Sequence, residues 1–247
     1  MIKLTTGIVL SSALLVSCAA DGPNLDGLKQ AAESVLSSDG GSVTGPLSID
    51  EITRGLKEAL TSGSSAVVSQ LGAANGFSGD PAIRIPLPAS LVKARDLASK
   101  VGLEGSFDEL ELKLNEAAEE ATPKAKALFV NAIQAMSVED AKGILQGPDN
   151  AATEYFRGKT GSQLQAQMRP IVDQALAKVG AVSTFNQLLS KYNNIPLAPK
   201  VDADLTGHVV EEGSEGIFYY LAQEEKAIRE NPVKRTTDIL KRVFGSQ

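Results

Sequence analysis

The chain has 247 residues, of which 43% are hydrophobic and 4% aromatic, and it contains no tryptophan. This length is enough for one or two domains with an apolar core, and the shortage of aromatic side chains favours helices packed closely through Ala, Leu, Val and Ile. The formal net charge of −6 at pH 7 argues against nucleic acid as a partner, because such binding uses a basic surface that releases counterions.

Residues 1–17 are typical of a bacterial signal peptide. Lys3 supplies a short positive region, and residues 8–16 form an apolar run. That run is too short for a transmembrane helix, which needs about 20 apolar residues. The sequence therefore predicts an exported protein whose first 17 residues are removed.

The end of this run, Leu15-Val16-Ser17-Cys18, resembles the lipobox of bacterial lipoproteins. The resemblance implies cleavage before Cys18 and lipid on its sulfur, which would anchor the chain to a membrane of the cell envelope. Ala19 is not the aspartate that retains such proteins in the inner membrane, so we expect the outer membrane, facing the periplasm. The alternative is an ordinary signal peptide in which this cysteine, the only one in the chain, lies by chance.

Residues 18–47 are rich in Gly, Ser and Asp, a composition typical of a flexible tether. A chain of this length has a root-mean-square span of roughly 30 Å. We therefore expect the folded domain to stand off the membrane.

Residues 48–247 are predicted to form one all-α domain, a multi-helix bundle of short and medium amphipathic helices with an extended proline-rich loop. Ser48 and Glu51 have the spacing of a capping box ahead of an apolar stripe. Prolines interrupt the helical pattern over residues 76–88 and predict an extended segment that buries Ile83 and Ile85.

Caps and prolines predict the later helix boundaries. Helices are expected over about residues 89–100 and 204–229, with a loop over residues 193–200. Further helix starts are predicted at the Ser106–Glu109 capping box, at Thr122-Pro123, at Ser137 and at Asp149. Pro170 is expected to kink its helix or to mark an early turn.

Several strings are similar to the bacterial domain-of-unknown-function family 4197. They are Asn75-Gly76-Phe77, residues 81–88, 136–145 and 151–157, Arg169-Pro170-Ile171-Val172-Asp173, residues 224–232 and Arg235-Thr236-Thr237-Asp238. The resemblance covers roughly residues 48–245. It implies an all-helical exported protein, often a lipoprotein, and it implies no activity and no catalytic residue.

The chain has one histidine, His208, and one cysteine. A zinc site built from His and Cys is excluded by these counts. A nucleophilic triad would have to use His208, which we interpret as a partly buried or surface side chain. No metal or other cofactor is expected.

Glu224 is the carboxylate of most interest. It falls on the stripe formed by Ile217, Leu221 and Ile228, where an unpaired carboxylate is costly. Its candidate partners are Arg84, Arg157 and Arg235. We interpret Glu224 as one half of a buried ion pair, and the alternative is a general acid with a raised pKa.

The sequence thus favours a non-catalytic helical binding or scaffold module, held to the membrane through lipid on Cys18 and binding an envelope protein or lipid. Two alternatives stay open. One is an envelope hydrolase or lyase that uses Glu224, and the other is a carrier of a hydrophobic ligand.

Overall fold

The computed structural model describes residues 48–231 and residue 241. The chain divides into two units, Met1–Pro46 and Leu47–Gln247, and the described residues belong to the second. The predicted signal peptide, the predicted lipidation site Cys18 and the predicted tether of residues 18–47 lie outside the described residues, and so does Arg235.

The described residues form seven α-helices and one short 3-10 helix, with no strand. The helices are α1 (Ile49–Leu71), α2 (Ala89–Ala98), the 3-10 helix (Ser99–Val101), α3 (Glu104–Ala135), α4 (Val138–Gln146), α5 (Ala151–Lys178), α6 (Ala181–Tyr192) and α7 (Leu205–Glu230). The all-α prediction is therefore confirmed. None of the described helices combines the length and the apolar character of a membrane span.

Local capping chemistry fixes two of the helix starts as predicted. The Ser48 side chain accepts a bond from the Glu51 backbone N–H, and the Glu51 carboxylate accepts one from the Ser48 N–H. Ser137 begins α4 in the same way, with Asp140 as its partner. Asp204 accepts the Gly207 N–H at the start of α7, and residues 83 and 85 are buried in the extended loop as expected.

The predicted boundaries at Ser106 and Thr122-Pro123 are wrong, because one helix, α3, runs through both. Ser106 lies in its first turn. Ala121 and Ala125 are buried on either side of Pro123, so the apolar face continues across the proline. Burial of that face outweighs the cost of an interior proline, about 3 kcal/mol. Helix α3, with 32 residues, is accordingly longer than the medium length expected.

Helix α5 also differs from expectation at its start. Its N-cap residue is Asn150, not Asp149, and that side chain makes no capping bond. Pro170 lies inside α5 rather than at an early turn. The N-terminus of α5 is instead capped from another helix, by Glu225 of α7.

Helix α3 is the centre of the bundle and packs against α1, α5, α6 and α7. It runs antiparallel to α5, since Lys178 at the end of α5 donates to Glu120 in the middle of α3 with an N–O distance of 2.6 Å, while the start of α5 lies near Ala135. The core is built mainly from Leu, Ile, Val and Ala, with Phe77, Phe107, Phe129 and Tyr192 as its largest buried rings.

Candidate binding groove and buried carboxylates

A groove runs between α3 and α5, with a volume of about 390 Å³. Its apolar floor contains Phe129 and Leu164, both buried. The other residues that line it are Leu128, Asn131, Ala132, Ala135, Tyr155, Lys159, Gln163 and Gln167. The volume lies within the range of about 300–1,000 Å³ that is usual for ligand sites.

The rim of the groove is polar and regularly spaced. Lys159, Gln163 and Gln167 follow one another at intervals of one helical turn along α5, so they form a row about 12 Å long. Asn131 lies on the α3 side, and all four side chains are exposed. The arrangement offers amide donors and acceptors and one positive charge above an apolar floor.

Tyr155 lies at one end of the groove and joins α5 to α4. Its hydroxyl donates to Asp140 with an O–O distance of 3.1 Å. Burial and this bond raise the pKa of the Tyr155 phenol, so it remains a protonated donor. The Ser137 hydroxyl and backbone N–H, with Tyr155, hold the pKa of Asp140 below its usual value. Asp140 thus fixes both the α4 cap and this end of the groove.

Glu224, the carboxylate singled out from the sequence, is partly buried where α7 faces α1. Its Cγ lies 3.3 Å from the position that a Cβ on Gly63 would occupy. The adjacent apolar cavity has a volume of about 20 Å³, enough for about one water molecule. This space does not resemble a substrate cleft.

Two of the three arginines proposed as partners of Glu224 bond to other carboxylates. Arg84 donates to Glu111 with an N–O distance of 2.9 Å. Arg157 is ion-paired with Glu215 and also lies over the Phe218 ring, 4.8 Å from its centroid. The position of Arg235 falls outside the described part of the chain.

The buried ion pair of this region involves Glu225, which is 8% exposed. Its carboxylate accepts the Ala152 and Thr153 backbone N–H groups at 2.9 and 3.0 Å and the Thr153 hydroxyl. Arg229 donates to it at 2.9 Å and also to the Ile144 carbonyl. Glu225 therefore supplies the cap that α5 lacks and ties α7 to both α4 and α5.

A second buried carboxylate, Glu119 on α3, organises the loop after α1. It accepts the backbone N–H groups of Asn75, Phe77 and Ser78, each at 3.1 Å, and the Ser78 hydroxyl. One turn earlier, Asn115 exchanges two hydrogen bonds with the Ile85 backbone. The extended loop is thus bonded to α3 through side chains rather than through a strand.

Glu119, Asn115 and Glu225 are structural residues that the sequence pattern did not single out. A usable signal existed for Glu225, because it lies four residues before Arg229 and that spacing favours an ion pair on a helix. Glu119 and Asn115 gave no such signal, since their partners are backbone groups more than 25 residues away in sequence.

Asp80 and Tyr220 connect the same loop to α7. The Tyr220 hydroxyl donates to the Asp80 carboxylate, which raises the pKa of Tyr220 to about 12. The same bond, with the Ala82 N–H, holds the pKa of Asp80 below its usual value.

His208 lies on α7, partly buried, with Nε2 2.7 Å from the Pro86 carbonyl oxygen. It also borders a shallow polar depression between α5 and α7 that includes Arg169 and Asp204, which form an ion pair at 2.6 Å.

Within the described residues, no three His, Cys, Asp or Glu side chains gather in a way that could hold a metal ion.

Comparison with known protein families identifies a match. The model of the family described as "Protein of unknown function (DUF4197)" matches residues 46–245. No curated protein matches the chain. No solved structure matches it either.

Proposed function

The chain belongs to the DUF4197 family of proteins of unknown function, and from that premise we propose that it is a non-catalytic binding module of the cell envelope that takes a short peptide segment of a partner protein in the α3–α5 groove. The groove carries this proposal, because it combines a ligand-sized volume with an apolar floor and a polar rim.

The rim chemistry favours a peptide over a lipid chain. Asn131, Gln163 and Gln167 carry amide groups that both donate and accept, as the backbone of an extended peptide requires. An acyl chain could not form hydrogen bonds with these amide groups. Lys159 is the charged residue of the lining, so a carboxylate on the peptide is the expected counterpart, with an apolar side chain resting on Phe129 and Leu164.

A lipid anchor on Cys18 would place this groove in the envelope. The lipobox resemblance at residues 15–18 and the Gly- and Ser-rich composition of residues 18–47 support this arrangement. Intact mass spectrometry of protein purified from its own membrane tests it directly. Acyl chains on an N-terminal Cys18 would support the anchor, and cleavage elsewhere without acylation would refute it.

The groove is tested by photo-crosslinking in the cell of origin. We expect benzoylphenylalanine at Gln163 to give a covalent adduct of defined mass, and peptide mapping of the adduct to show an acidic residue beside the crosslinked segment. The substitution Ala132→Phe should abolish the adduct, because the ring would fill the groove. The Gln187 position, exposed on α6, serves as the matched control for chance collisions.

Three results would contradict the proposal. They are no adduct at Gln163 above the level at Gln187, an adduct unaffected by Ala132→Phe in a folded variant, or a crosslinked lipid in place of a peptide.

The other two hypotheses receive less support from the geometry. Glu224 borders a cavity of about 20 Å³, which is too small to admit a polymer for hydrolysis. A second apolar cavity between α3, α5 and α7 has the same volume, and neither could hold an acyl chain. The groove supports binding at a surface better than it supports catalysis or carriage.

A further inference from the structure

The loop between α6 and α7 presents one apolar side chain entirely to solvent. Leu197 is 103% exposed, more than any other large hydrophobic residue among those described. Its neighbours Ile195, Ala198 and Val201 are partly buried against the core. The loop is therefore held against the core on both sides of Leu197, while the Leu197 side chain projects into solvent.

The backbone at Leu197 has a conformation that leucine rarely adopts. The Ala198 N–H donates to the Ile195 carbonyl at 3.2 Å, which makes Pro196 and Leu197 the central residues of a four-residue turn. Leu197 has φ +62°, and a positive φ at this position is characteristic of a type II turn, where Gly or Asn is usual. A bulky residue in this region is a true outlier. Folding alone would favour Gly or Asn here, so the leucine points to a functional constraint.

The charged residues nearest to Leu197 along the chain are both cations, although the whole chain carries −6. They are Lys191 and Lys200, both exposed, and the first acidic residue after the tip is Asp202. An apolar tip flanked by cations matches the interface of a bilayer that contains anionic lipid, where the apolar group inserts and the lysines approach the headgroups.

From these observations we propose that Leu197 is a membrane-contacting tip, which docks the tethered domain on an anionic lipid surface and so sets the orientation of the binding groove. One side chain and two lysines bind weakly by themselves, and anchoring raises their effective concentration at the bilayer. The segment from Cys18 to residue 47 could extend at most about 100 Å, which is longer than a domain of this size. The proposal rests on the anchor of the proposed function and does not depend on what the groove binds.

The chain has no tryptophan and one cysteine, so an introduced tryptophan is a unique fluorescent probe and Cys18 is a unique attachment point. A Leu197→Trp variant carries one tryptophan at the tip, and Val101→Trp, at a residue 56% exposed on the 3-10 helix, is the matched control. Each full-chain variant is reconstituted into vesicles of phosphatidylglycerol and phosphatidylcholine through its own acyl chains. If Cys18 proves unacylated, its thiol is coupled to a maleimide lipid, so the test does not depend on natural lipidation.

We expect the Leu197→Trp emission to shift to shorter wavelength on the anionic vesicles and to be quenched by brominated acyl chains. The shift should shrink in pure phosphatidylcholine or at high salt, because screening weakens the lysine contribution. The Val101→Trp emission should not change. Emission from Leu197→Trp that equals that of the vesicle-free protein, or equal shifts in both variants, would overturn the proposal.

A second variant tests the tip in case tryptophan disturbs the turn. Leu197→Asn suits the positive φ and removes the apolar group. We expect a melting temperature equal to or above that of the wild type, together with loss of the vesicle-dependent protection of Lys191 and Lys200 from an amine-reactive reagent. Protection of these lysines that persists in Leu197→Asn would also overturn the proposal. Because the crosslink at Gln163 measures groove occupancy separately, failure of one proposal is distinguishable from failure of the other.

Discussion

Glu119 and Glu225 are buried carboxylates that bind backbone N–H groups rather than solvent. Each satisfies donors that no local partner reaches, in the loop after α1 and at the start of α5. A carboxylate that accepts several such bonds contributes more than an exposed ion pair, because its loss leaves buried donors without partners. Loss of either carboxylate should therefore destabilise the fold more than loss of an exposed ion pair.

The substitution Glu119→Gln should lower the free energy of unfolding by about 2 kcal/mol. The amide would turn an N–H group towards backbone N–H donors that now meet oxygen. Urea unfolding measures the effect. The adjacent Glu120→Gln is the control, since it removes a partly exposed pair with Lys178 and should cost less than about 1 kcal/mol. Equal losses in the two variants would refute this role of Glu119.

Glu225→Gln and Glu224→Gln form a second matched pair on α7. We expect Glu225→Gln to lower the free energy of unfolding by about 3 kcal/mol, because it breaks a buried ion pair and the cap of α5 together. Glu224→Gln should lower it by less than half as much, since Glu224 is only partly buried. Thermal and urea unfolding of both variants check the order, and a larger loss for Glu224→Gln would show that the wrong carboxylate has been identified.

Helix α7 depends on glycine where it meets the extended loop. A Cβ on Gly216 would lie 2.9 Å from the Phe77 ring and 3.2 Å from Ile83 Cβ, and Phe77 is fully buried. The absence of a side chain at this position allows the loop that Glu119 organises to lie directly on α7.

We expect Gly216→Ala to lower the free energy of unfolding by about 1–3 kcal/mol through overpacking. Gly158→Ala, in α5, is the control, because a Cβ there meets nothing within 4 Å. The control should raise stability by up to about 1 kcal/mol, as alanine is the better helix former. Denaturant midpoints give both values, and a gain in stability in Gly216→Ala would contradict the packing argument.

Among the described carboxylates that join segments distant in sequence, four have a lowered pKa. They are Asp80 with Tyr220, Glu120 with Lys178, Asp140 with Tyr155, and Asp204 with Arg169. Hydrogen bonds from these partners, and from nearby serine or backbone groups, hold the pKa of each below its usual value.

A lowered pKa in the folded state means that each carboxylate stabilises the fold above its unfolded pKa, 3.8 for Asp and 4.5 for Glu. That stability is lost as the pH falls through the folded pKa. We therefore expect the urea midpoint to be constant from about pH 7 to 5 and to fall at about pH 3. Tyr220→Phe removes the hydrogen bond to Asp80. The fall of the urea midpoint on acidification should therefore be smaller in this variant than in the wild type. A midpoint that rises on acidification would contradict this assignment.

Many features of the domain were predictable because their causes are local. The capping boxes at Ser48 and Ser137, the extended loop with its buried isoleucines and the all-α class each depend on residues a few positions apart. The family could also be identified from short strings. The continuity of α3 across Pro123 was not predictable, because burial of its apolar face against neighbouring helices decides it.

The residues of the candidate site also divide into those that the sequence predicts and those that only packing between distant segments determines. The sequence determined which chemistry the chain possesses, namely one histidine, one cysteine and many carboxylates, and it placed Glu224 on the stripe of α7. Only the tertiary structure decided that Glu225 is the buried carboxylate, that Glu119 binds the loop, and that α3 and α5 leave a groove between them. These outcomes depend on which backbone donors and helix faces meet across long sequence separations, and a periodic pattern along one helix cannot specify them.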